Sequence, residues 1–294
     1  MNYYENVLLK EYTTLKIGGP AKRFYEPETV LEISQIVKEH KENNWPLVVL
    51  GNGSNMLFED EGYDGSVLHV SKALNQSEFI DDTTIRAFAG VENGELALWL
   101  AGHELGGFEF ASGIPGTIGG AVIMNAGAYN GEMVDVLSGV GYIDEDGLLQ
   151  YATADQLELG YRHSWFTDHF GVVVYADLKL HKTTLKEAGE KLLDLYLKRH
   201  AKQPMEKASA GSTFKRPVNG YASAMIQECG LQGFAVGDAM VSTKHAGFLI
   251  NDGNATCKDF LELVSHVQKV VKEKCDADLE LEVRYIHKNP NDNQ

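Results

Sequence analysis

The sequence has 294 residues, with 26 lysines and arginines against 42 aspartates and glutamates, a formal net charge of −16 and 44% hydrophobic residues. A chain of this length can bury a large core and is expected to form two compact units. The acidic balance argues against general binding of nucleic acid or of anionic membranes, because both depend on a cationic protein face. An anionic ligand would need local basic residues.

The cysteines and the N-terminal residues indicate a cytoplasmic protein. Cys229, Cys257 and Cys275 are odd in number and too widely spaced for paired metal ligands, so we interpret them as reduced thiols. The N-terminus lacks the apolar segment of a signal peptide, and no stretch approaches the roughly 18 apolar residues of a membrane span. None of the ten histidines lies in an H-E-x-x-H motif, so no metal site is predicted.

Helix and strand patterns alternate along the chain and predict an α+β fold. Apolar residues at helical spacing predict a helix from about residue 28 to residue 44, and an apolar run over 46–50 is typical of a buried strand. Further helices are predicted over 95–105, 186–200, 221–229 and 258–275. Further strands are predicted over 139–147, 171–180, 241–251 and 278–286. Gly230 ends the helix over 221–229, Thr256 caps the helix over 258–275, and residues 201–220 form a linker.

Two glycine-rich loops each adjoin a predicted strand. The first, residues 51–56, lacks the third glycine of a dinucleotide fingerprint and precedes a strand instead of a helix, which argues against a Rossmann unit. In the second, Pro115 fixes φ, whereas Gly116, Gly119 and Gly120 let a ligand approach the backbone. One such loop could be a tight turn. Two together favour an extended, phosphate-bearing ligand such as a dinucleotide.

Seven segments, in order along nearly the whole chain, resemble the motifs of one family. They are EYTTLKIGGPA (11–21), VLGNGSNMLF (49–58), GIPGTIGGAVIMNAGAY (113–129), YRHSWF (161–166), AGSTFKRP (210–217), VSTKHAGFLIN (241–251) and LELEVRYI (279–286). The chain resembles the shorter form of the UDP-N-acetylenolpyruvoylglucosamine reductases, also called UDP-N-acetylmuramate dehydrogenases. The resemblance implies a two-lobed FAD-binding domain of the vanillyl-alcohol-oxidase (PCMH) type and a C-terminal α+β substrate-binding domain.

The same resemblance implies domain boundaries and an activity. The FAD-binding domain is expected over 1–200, with lobes of about 1–70 and 71–200, followed by a substrate-binding domain over 201–283 and a tail over 284–294. The implied enzyme is an NADPH-dependent flavoprotein that reduces UDP-N-acetylglucosamine enolpyruvate to UDP-N-acetylmuramate through FAD. This reaction belongs to peptidoglycan precursor synthesis and so to cell wall biogenesis. The sequence leaves the oligomeric state open.

The cofactor-binding residues are expected in the two glycine-rich loops. They are Gly51, Asn52, Gly53, Ser54, Asn55, Met56, Pro115, Gly116, Thr117, Gly119, Gly120, Ala121, Asn125 and Gly127. No histidine or cysteine lies in a recognisable flavin-attachment motif, so FAD is expected to bind non-covalently.

The chemistry of the implied reaction defines three catalytic roles. Hydride addition to the terminal carbon of an enolpyruvyl group moves negative charge toward the neighbouring carbon and its carboxylate, and that carbon then needs a proton. The resemblance implies that Arg162 and Glu282 stabilise the charge and that Ser212 donates the proton. Taken without the resemblance, Arg162 would more often be a surface ion-pair residue, Glu282 part of a solvated strand edge and Ser212 an ordinary turn serine.

Basic and aromatic residues near these motifs are expected to hold the UDP sugar. They are Tyr161, Arg199, Lys202, Lys215, His245 and Arg284, with Lys198 and Arg216 as further members of a diphosphate cradle. Their ordinary interpretation is a solubilising helix end, a solvated loop and a core histidine. Three other functions remain open at this point: an FAD-containing oxidase acting on another substrate, an electron-transfer subunit, and a non-catalytic UDP-sugar-binding protein.

Overall fold

Residues 2–70 and 74–293 are described by a computed structural model of the chain. The chain divides into two units: unit 1 holds the residues up to Tyr4, Phe24–Asn52 and Ser66–Lys198, and unit 2 holds Glu5–Arg23, Gly53–Gly65 and the chain from Arg199 onward. Each unit therefore combines several separate segments of the chain, whereas the expected domains are consecutive stretches. The expected lobe boundary near residue 70 adjoins residues 71–73, which lie outside the described residues.

The described residues form seven α-helices and five short 3-10 helices. The α-helices are α1 (Val30–Asn43), α2 (Asn93–Gly102), α3 (Ile118–Ile123), α4 (Trp165–Asp168), α5 (Leu185–Lys202), α6 (Ala222–Glu228) and α7 (Cys257–Cys275). The 3-10 helices are Leu9–Tyr12, Glu109–Ala111, Met133–Asp135, Ala154–Leu157 and Pro290–Asn293.

The main sheet of unit 1 is antiparallel and has five strands. Their order is Leu149–Thr153, Leu137–Ile143, Val172–Lys179, Thr84–Phe88 and Ser77–Phe79. Helix α1 begins where Thr29 accepts a hydrogen bond from the amide of Glu32, and it ends at Asn44 in the left-handed conformation. Its apolar face joins the core of this unit.

The main sheet of unit 2 is also antiparallel. Its strand order is Ala208–Ser209, Leu249–Asn251, Ala239–Val241 and Ala235–Val236. Helix α7 starts with a reciprocal capping box between Thr256 and Asp259, which satisfies two backbone amides. Its buried residues, including Phe260, Leu263 and Val267, form much of the core of unit 2.

Another four-stranded sheet and three strand pairs complete the fold. The sheet has the order Asn2–Leu8, Pro20–Glu26, Tyr63–His69 and Leu47–Leu50. The pairs are Arg284–Ile286 with Met56–Phe58 in parallel, Gly131–Glu132 with Gly127–Ala128, and His181–Lys182 with Leu105–Gly106, the last two antiparallel. No helix within the described ranges is long and apolar enough to cross a membrane.

Four predicted elements differ from the structure. The predicted strand over 139–147 ends at Ile143, because Asp144 and Gly147 belong to a turn. The predicted strand over 241–251 is a hairpin, because Ser242 Oγ accepts hydrogen bonds from the amides of Lys244 and His245 and turns the chain. Of the predicted strand over 278–286, only Arg284–Ile286 is a strand. Helix α2 ends at Gly102, not at residue 105, because Leu105–Gly106 pairs as a strand.

Candidate functional site

The two glycine-rich loops meet in unit 1. A Cβ atom placed on Gly51 would lie 2.7 Å from Thr117 Oγ1, so only glycine lets the first loop pack this closely against the second. Next to it, Asn52 Nδ2 donates a 2.8 Å hydrogen bond to Glu92 Oε1. The structure therefore brings together residues of the two loops, Gly51 and Thr117, that lie 66 positions apart in the sequence.

A third segment, residues 89–93, holds the second loop in place. Its backbone makes three hydrogen bonds of 2.9, 2.9 and 3.1 Å, which join Val91 with Ile118, Ala89 with Gly119 and Asn93 with Gly116. No sequence motif considered above indicated this segment, although Ala89-Gly90 at the end of a strand could have done so. Glu92 belongs to it and accepts the hydrogen bond from Asn52.

Two adjacent glycines in the second loop have different surroundings. A Cβ atom on Gly119 would lie 3.0 Å from the Cβ of Ala89, which makes this glycine part of the internal packing. A Cβ atom on Gly120 would meet no atom within 4 Å, and Gly120 is exposed. The open backbone at Gly120 fits close approach by an extended, phosphate-bearing cofactor.

Asn125 has a structural position within the second loop. Its buried amide group donates to Glu132 Oε2 at 3.1 Å and to the carbonyl of Gly160 at 2.9 Å, and it accepts from the amide of Val134 at 3.0 Å. The side chain is thus engaged with the protein, and any contact of Asn125 with a cofactor would come from its backbone. Among the remaining predicted loop residues, Met56 and Ala121 are buried, Ser54 is half-buried and Pro115 is exposed.

Arg162 lies against the same loop in unit 1. Its Nη2 donates a 3.2 Å hydrogen bond to the carbonyl of Gly127, and its guanidinium carbon lies 5.1 Å from the ring centroid of Tyr161. The backbone of Arg162 has φ of +53°, a conformation that non-glycine residues seldom adopt outside constrained sites. Tyr161 is exposed, and Arg162 is half-buried.

The end of the first loop belongs to unit 2. Gly53 has φ of +58°, and a Cβ atom there would lie 2.3 Å from the carbonyl oxygen of Tyr12. Asn55 Nδ2 donates to the carbonyl of Glu282 at 3.0 Å, and the amide of Arg284 donates to the carbonyl of Asn55 at 2.9 Å. A predicted cofactor residue therefore holds the backbone on which a predicted catalytic residue lies.

Ser212 occupies an exposed turn of unit 2. The preceding Gly211 has φ of +74°, and the following Thr213 is buried and fixes the turn. Thr213 Oγ1 accepts from the amide of Leu249 at 3.1 Å, and its carbonyl accepts from the amide of Glu282 at 2.8 Å. Unit 2 thus brings Ser212 and Glu282, 70 residues apart in the sequence, to neighbouring backbone positions.

His245 supports the same turn. Its Nδ1 accepts a 3.2 Å hydrogen bond from the amide of Gly247, whose carbonyl in turn accepts a 2.9 Å bond from the amide of Thr213. Burial lowers the pKa of His245, and the positive charge of Lys202 lowers it further. Accepting a hydrogen bond at Nδ1 requires the neutral imidazole with its proton on Nε2, and the lowered pKa favours this form.

The predicted basic residues differ in their contacts with the protein and in their exposure to solvent. Lys215 donates to the Glu280 carboxylate, and its amide donates to the carbonyl of Glu280 at 2.8 Å. Arg199 is buried and donates to Gln203 Oε1 at 3.3 Å, whereas Lys202 is exposed on the same last turn of α5. Of the two further cradle residues, Lys198 pairs with Asp194 in unit 1, and Arg216 lies over the ring of Tyr221 in unit 2.

Arg284 begins the strand that follows Glu282. The residue is exposed, yet nearby protein atoms displace enough water to lower the pKa of its guanidinium. The next residue, Tyr285, donates through its hydroxyl to Glu59, which also accepts from the amide of Lys288 at 3.0 Å and lies 3.3 Å from His287 Nδ1. Glu59 thereby anchors the C-terminal strand beside Met56–Phe58.

Comparison with known proteins gives matches over nearly the whole chain. Residues 21–152 match the model of an FAD binding domain, and residues 203–286 match the model of the UDP-N-acetylenolpyruvoylglucosamine reductase C-terminal domain. The reductase of that name from Clostridium tetani is 44% identical over 285 residues, which cover 97% of this chain and 92% of the relative. The corresponding protein from Syntrophomonas wolfei is 44% identical over 281 residues, covering 96% of this chain and 94% of the relative.

The chain belongs to the UDP-N-acetylenolpyruvoylglucosamine reductase family. A crystal structure of a reductase of this family from Thermus caldophilus has the same fold, with a TM-score of 0.82, 37% identity and coverage of 97% of this chain and 98% of that chain. The predicted family, the α+β fold with an FAD-binding domain and a C-terminal reductase domain, and the FAD cofactor are thereby confirmed.

Most of the predicted residues lie within one of the two matched family domains. Both glycine-rich loops and the missed segment 89–93 lie in the FAD-binding match, and Ser212, Lys215, His245, Glu282 and Arg284 lie in the C-terminal match. Tyr161, Arg162, Arg199 and Lys202 lie outside both matched ranges. As a member of the reductase family, the chain is an FAD-dependent oxidoreductase, which separates it from the sugar-binding and electron-transfer alternatives.

Proposed function

We propose that Ser212, Glu282 and Arg162 carry out the reduction of UDP-N-acetylglucosamine enolpyruvate to UDP-N-acetylmuramate in this chain. The reductant is NADPH, and the reaction is a step of peptidoglycan precursor synthesis. When bound, FAD would supply the redox chemistry, namely transfer of the hydride of NADPH to the terminal carbon of the enolpyruvyl group. The roles of the three residues follow from what that addition requires next.

The hydrogen bond between Glu282 and Thr213 carries the proposal. It joins the turn of Ser212 to the backbone of Glu282, so the residue proposed to stabilise the developing charge and the residue proposed to donate the proton are backbone neighbours in one unit. After hydride addition the substrate has negative charge at the neighbouring carbon and its carboxylate. Ser212 Oγ–H donates a proton to that carbon, and Glu282, acting as a neutral acid, donates a hydrogen bond to the charged oxygens.

Arg162 binds the substrate carboxylate. A guanidinium presents parallel N–H donors that match the two oxygens of a carboxylate. The bond from Arg162 Nη2 to the carbonyl of Gly127 orients the side chain from the second glycine-rich loop, so the arginine is held by the same loop that is proposed to hold the cofactor.

The exposed basic residues bind the diphosphate of the UDP sugar. Lys202 and Arg284 are exposed. Lys215 is paired with Glu280, so diphosphate binding by Lys215 requires that this ion pair opens. We therefore assign the larger part of diphosphate binding to Lys202 and Arg284.

The UDP-sugar substrate and the free thiols also support the proposal of a cytoplasmic location.

Anaerobic rapid mixing tests the role of Ser212. Reduction of bound FAD by NADPH needs no proton at the substrate carbon. The rate of FAD reduction in Ser212→Ala should therefore lie within about twofold of the parent rate. Reoxidation by the enolpyruvyl substrate should slow by roughly 10²–10⁴-fold if Ser212 supplies ordinary general-acid catalysis. The control is Ser265→Ala, which removes an exposed hydroxyl from α7.

Both half-reactions are followed by flavin absorbance in a single protein preparation. Equal reoxidation rates in Ser212→Ala and the parent would show that the proton comes from another group. Loss of both half-reactions would show instead that the turn is needed for folding or for FAD binding, which the absorbance spectrum of the resting variant reports directly.

A further inference from the structure

Two of the three cysteines come together in unit 2. The sulfur atoms of Cys229 and Cys275 lie 3.6 Å apart, although 46 residues separate them in the sequence. Cys229 follows the last residue of α6, and Cys275 is the last residue of α7. The spacing of the cysteines gave no indication of this pair, because only the packing of α6 against α7 creates it.

The two thiols differ in their surroundings. Cys229 is 7% exposed, whereas Cys275 is partly accessible to solvent. Lys274 Nζ donates a 3.1 Å hydrogen bond to the carbonyl of Cys229, which fixes the end of α6 beside the last turn of α7. Cys257, at the opposite end of α7, is 2% exposed.

We propose that Cys229 and Cys275 are a site of reversible oxidation, at which a peroxide converts the two thiols into an intramolecular disulfide. A disulfide requires the sulfurs to approach to about 2.05 Å, and side-chain rotation with a small backbone shift can cover the remaining distance. Neither cysteine is among the residues assigned to FAD, to the substrate or to catalysis, so this site is separate from the proposed function.

The oxidation balances with hydrogen peroxide as the oxidant. The thiolate of Cys275 attacks one peroxide oxygen, which forms a sulfenic acid and releases hydroxide. The sulfur of Cys229 then attacks the sulfenic sulfur, the S–S bond forms, and a second hydroxide leaves. With the two thiol protons, the products are one disulfide and two molecules of water.

The order of attack follows from burial. Cys275 is the more accessible thiol and meets the oxidant first. Burial and the neighbouring Cys275 raise the pKa of Cys229, which makes Cys229 a poor first nucleophile. Cys229 follows the carboxyl end of α6, where the helix dipole disfavours a thiolate, so its attack on the sulfenic acid is expected to be slow.

The disulfide is expected to change stability more than turnover. It closes a loop of about 46 residues and reduces the conformational entropy of the unfolded chain, which should raise the Tm by roughly 5–10 °C. The turn of Ser212 is fixed separately, through the hydrogen bonds of Thr213 to Leu249 and Glu282. Turnover should therefore stay within about twofold of the reduced enzyme.

The test compares the FAD-loaded enzyme before and after hydrogen peroxide at pH 8. Peptide mass spectrometry without reductant should show a peptide that links Cys229 to Cys275 and is about 2 Da lighter than the two reduced peptides together, with Cys257 unmodified. Dithiothreitol should restore both the mass and the original Tm. Cys257→Ser should behave like the parent, whereas Cys229→Ser and Cys275→Ser should lack both the link and the rise in Tm.

Three results would overturn the proposal. They are sulfinic acid at Cys275 without a link, a link that includes Cys257, and disulfides only between separate chains. An oxidised enzyme that carries the link but loses turnover would refute the claim that the catalytic turn is independent of this site.

Discussion

The amide of Glu282 donates a 2.8 Å hydrogen bond to the carbonyl of Thr213. The carbonyl of Glu282 accepts a second bond, from Asn55 Nδ2 at 3.0 Å. Both backbone polar groups of Glu282 are therefore fixed, one by the turn that presents Ser212 and the other by the first glycine-rich loop. This arrangement makes Thr213 and Asn55 positioning residues for the proposed chemistry.

Thr213→Val tests whether the side chain of Thr213 holds the turn that presents Ser212. The substitution keeps the shape of the side chain and removes the oxygen that accepts from the amide of Leu249, which leaves a buried N–H group unsatisfied. We expect unfolding free energy to fall by about 1–3 kcal/mol and substrate-dependent reoxidation to slow, while reduction by NADPH stays near the parent rate. Urea unfolding and rapid mixing measure the two effects.

The matched control is Thr243→Val, because Thr243 is exposed. Its stability should stay within about 0.5 kcal/mol of the parent. Unchanged stability in Thr213→Val would show that the buried amide of Leu249 finds another partner, and normal reoxidation would show that the turn does not position Ser212.

Two substitutions of Glu282 separate hydrogen bonding from charge. Glu282→Gln keeps a donor near the developing charge, whereas Glu282→Ala removes it, so the alanine variant should reoxidise more slowly by about 10-fold or more. Reduction by NADPH should be spared in both. Equal rates for the glutamine and alanine variants would mean that Glu282 donates no hydrogen bond in the slow step.

Sequence patterns predicted the helices and strands that are determined by residues close together in the sequence. The helix after Thr29 and the helix capped by Thr256 are confirmed because periodicity and capping lie within a few residues. The strand after the first glycine-rich loop is confirmed for the same reason. Residues 242–248 were predicted wrongly, since β-branched and apolar residues at both ends concealed the turn formed by Ser242.

The contacts within the candidate site could not be predicted from local sequence patterns. Motifs predicted which residues lie in the loops, but the contacts that unite them join distant segments. Gly51 packs on Thr117, and Asn55 holds Glu282, across 66 and 227 residues of sequence. Periodicity and spacing carry no information about such pairs. The structure also shows that Asn125 and Lys215, predicted as ligand-binding residues, have protein partners of their own.

Glu59 should make the stability of unit 2 depend on pH. Burial alone would raise the pKa of Glu59, but hydrogen bonds from Tyr285, the amide of Lys288 and His287 outweigh burial and lower it. Because the pKa is lower in the folded state, the stabilisation is full above the unfolded value of 4.5 and is lost as pH falls through the folded value. Glu59→Gln should therefore lower the free energy of unfolding by about 1–2 kcal/mol at pH 7, and by progressively less as the pH falls below 4.5.

Urea unfolding of parent and Glu59→Gln from pH 7 to pH 3 measures this difference. The exposed Glu61→Gln is the control for loss of one negative charge. A difference in unfolding free energy between the parent and Glu59→Gln that stays constant across this range would contradict the prediction. It would show that the hydrogen bonds of Glu59 do not stabilise its ionised form.

The contrast between Gly119 and Gly120 gives the sharpest test of the cofactor loop. A valine at Gly120 meets no protein atom within 4 Å of its Cβ, so Gly120→Val should fold normally but obstruct FAD, which is proposed to approach the backbone there. A valine at Gly119 is placed 3.0 Å from the Cβ of Ala89, so Gly119→Val should lower the thermal stability of the protein itself. The absorbance ratio at 450 and 280 nm, circular dichroism and the Tm without cofactor distinguish the two variants. Full FAD occupancy in Gly120→Val would place the cofactor on another part of the loop, and equal Tm values for the two cofactor-free variants would contradict the packing role of Gly119.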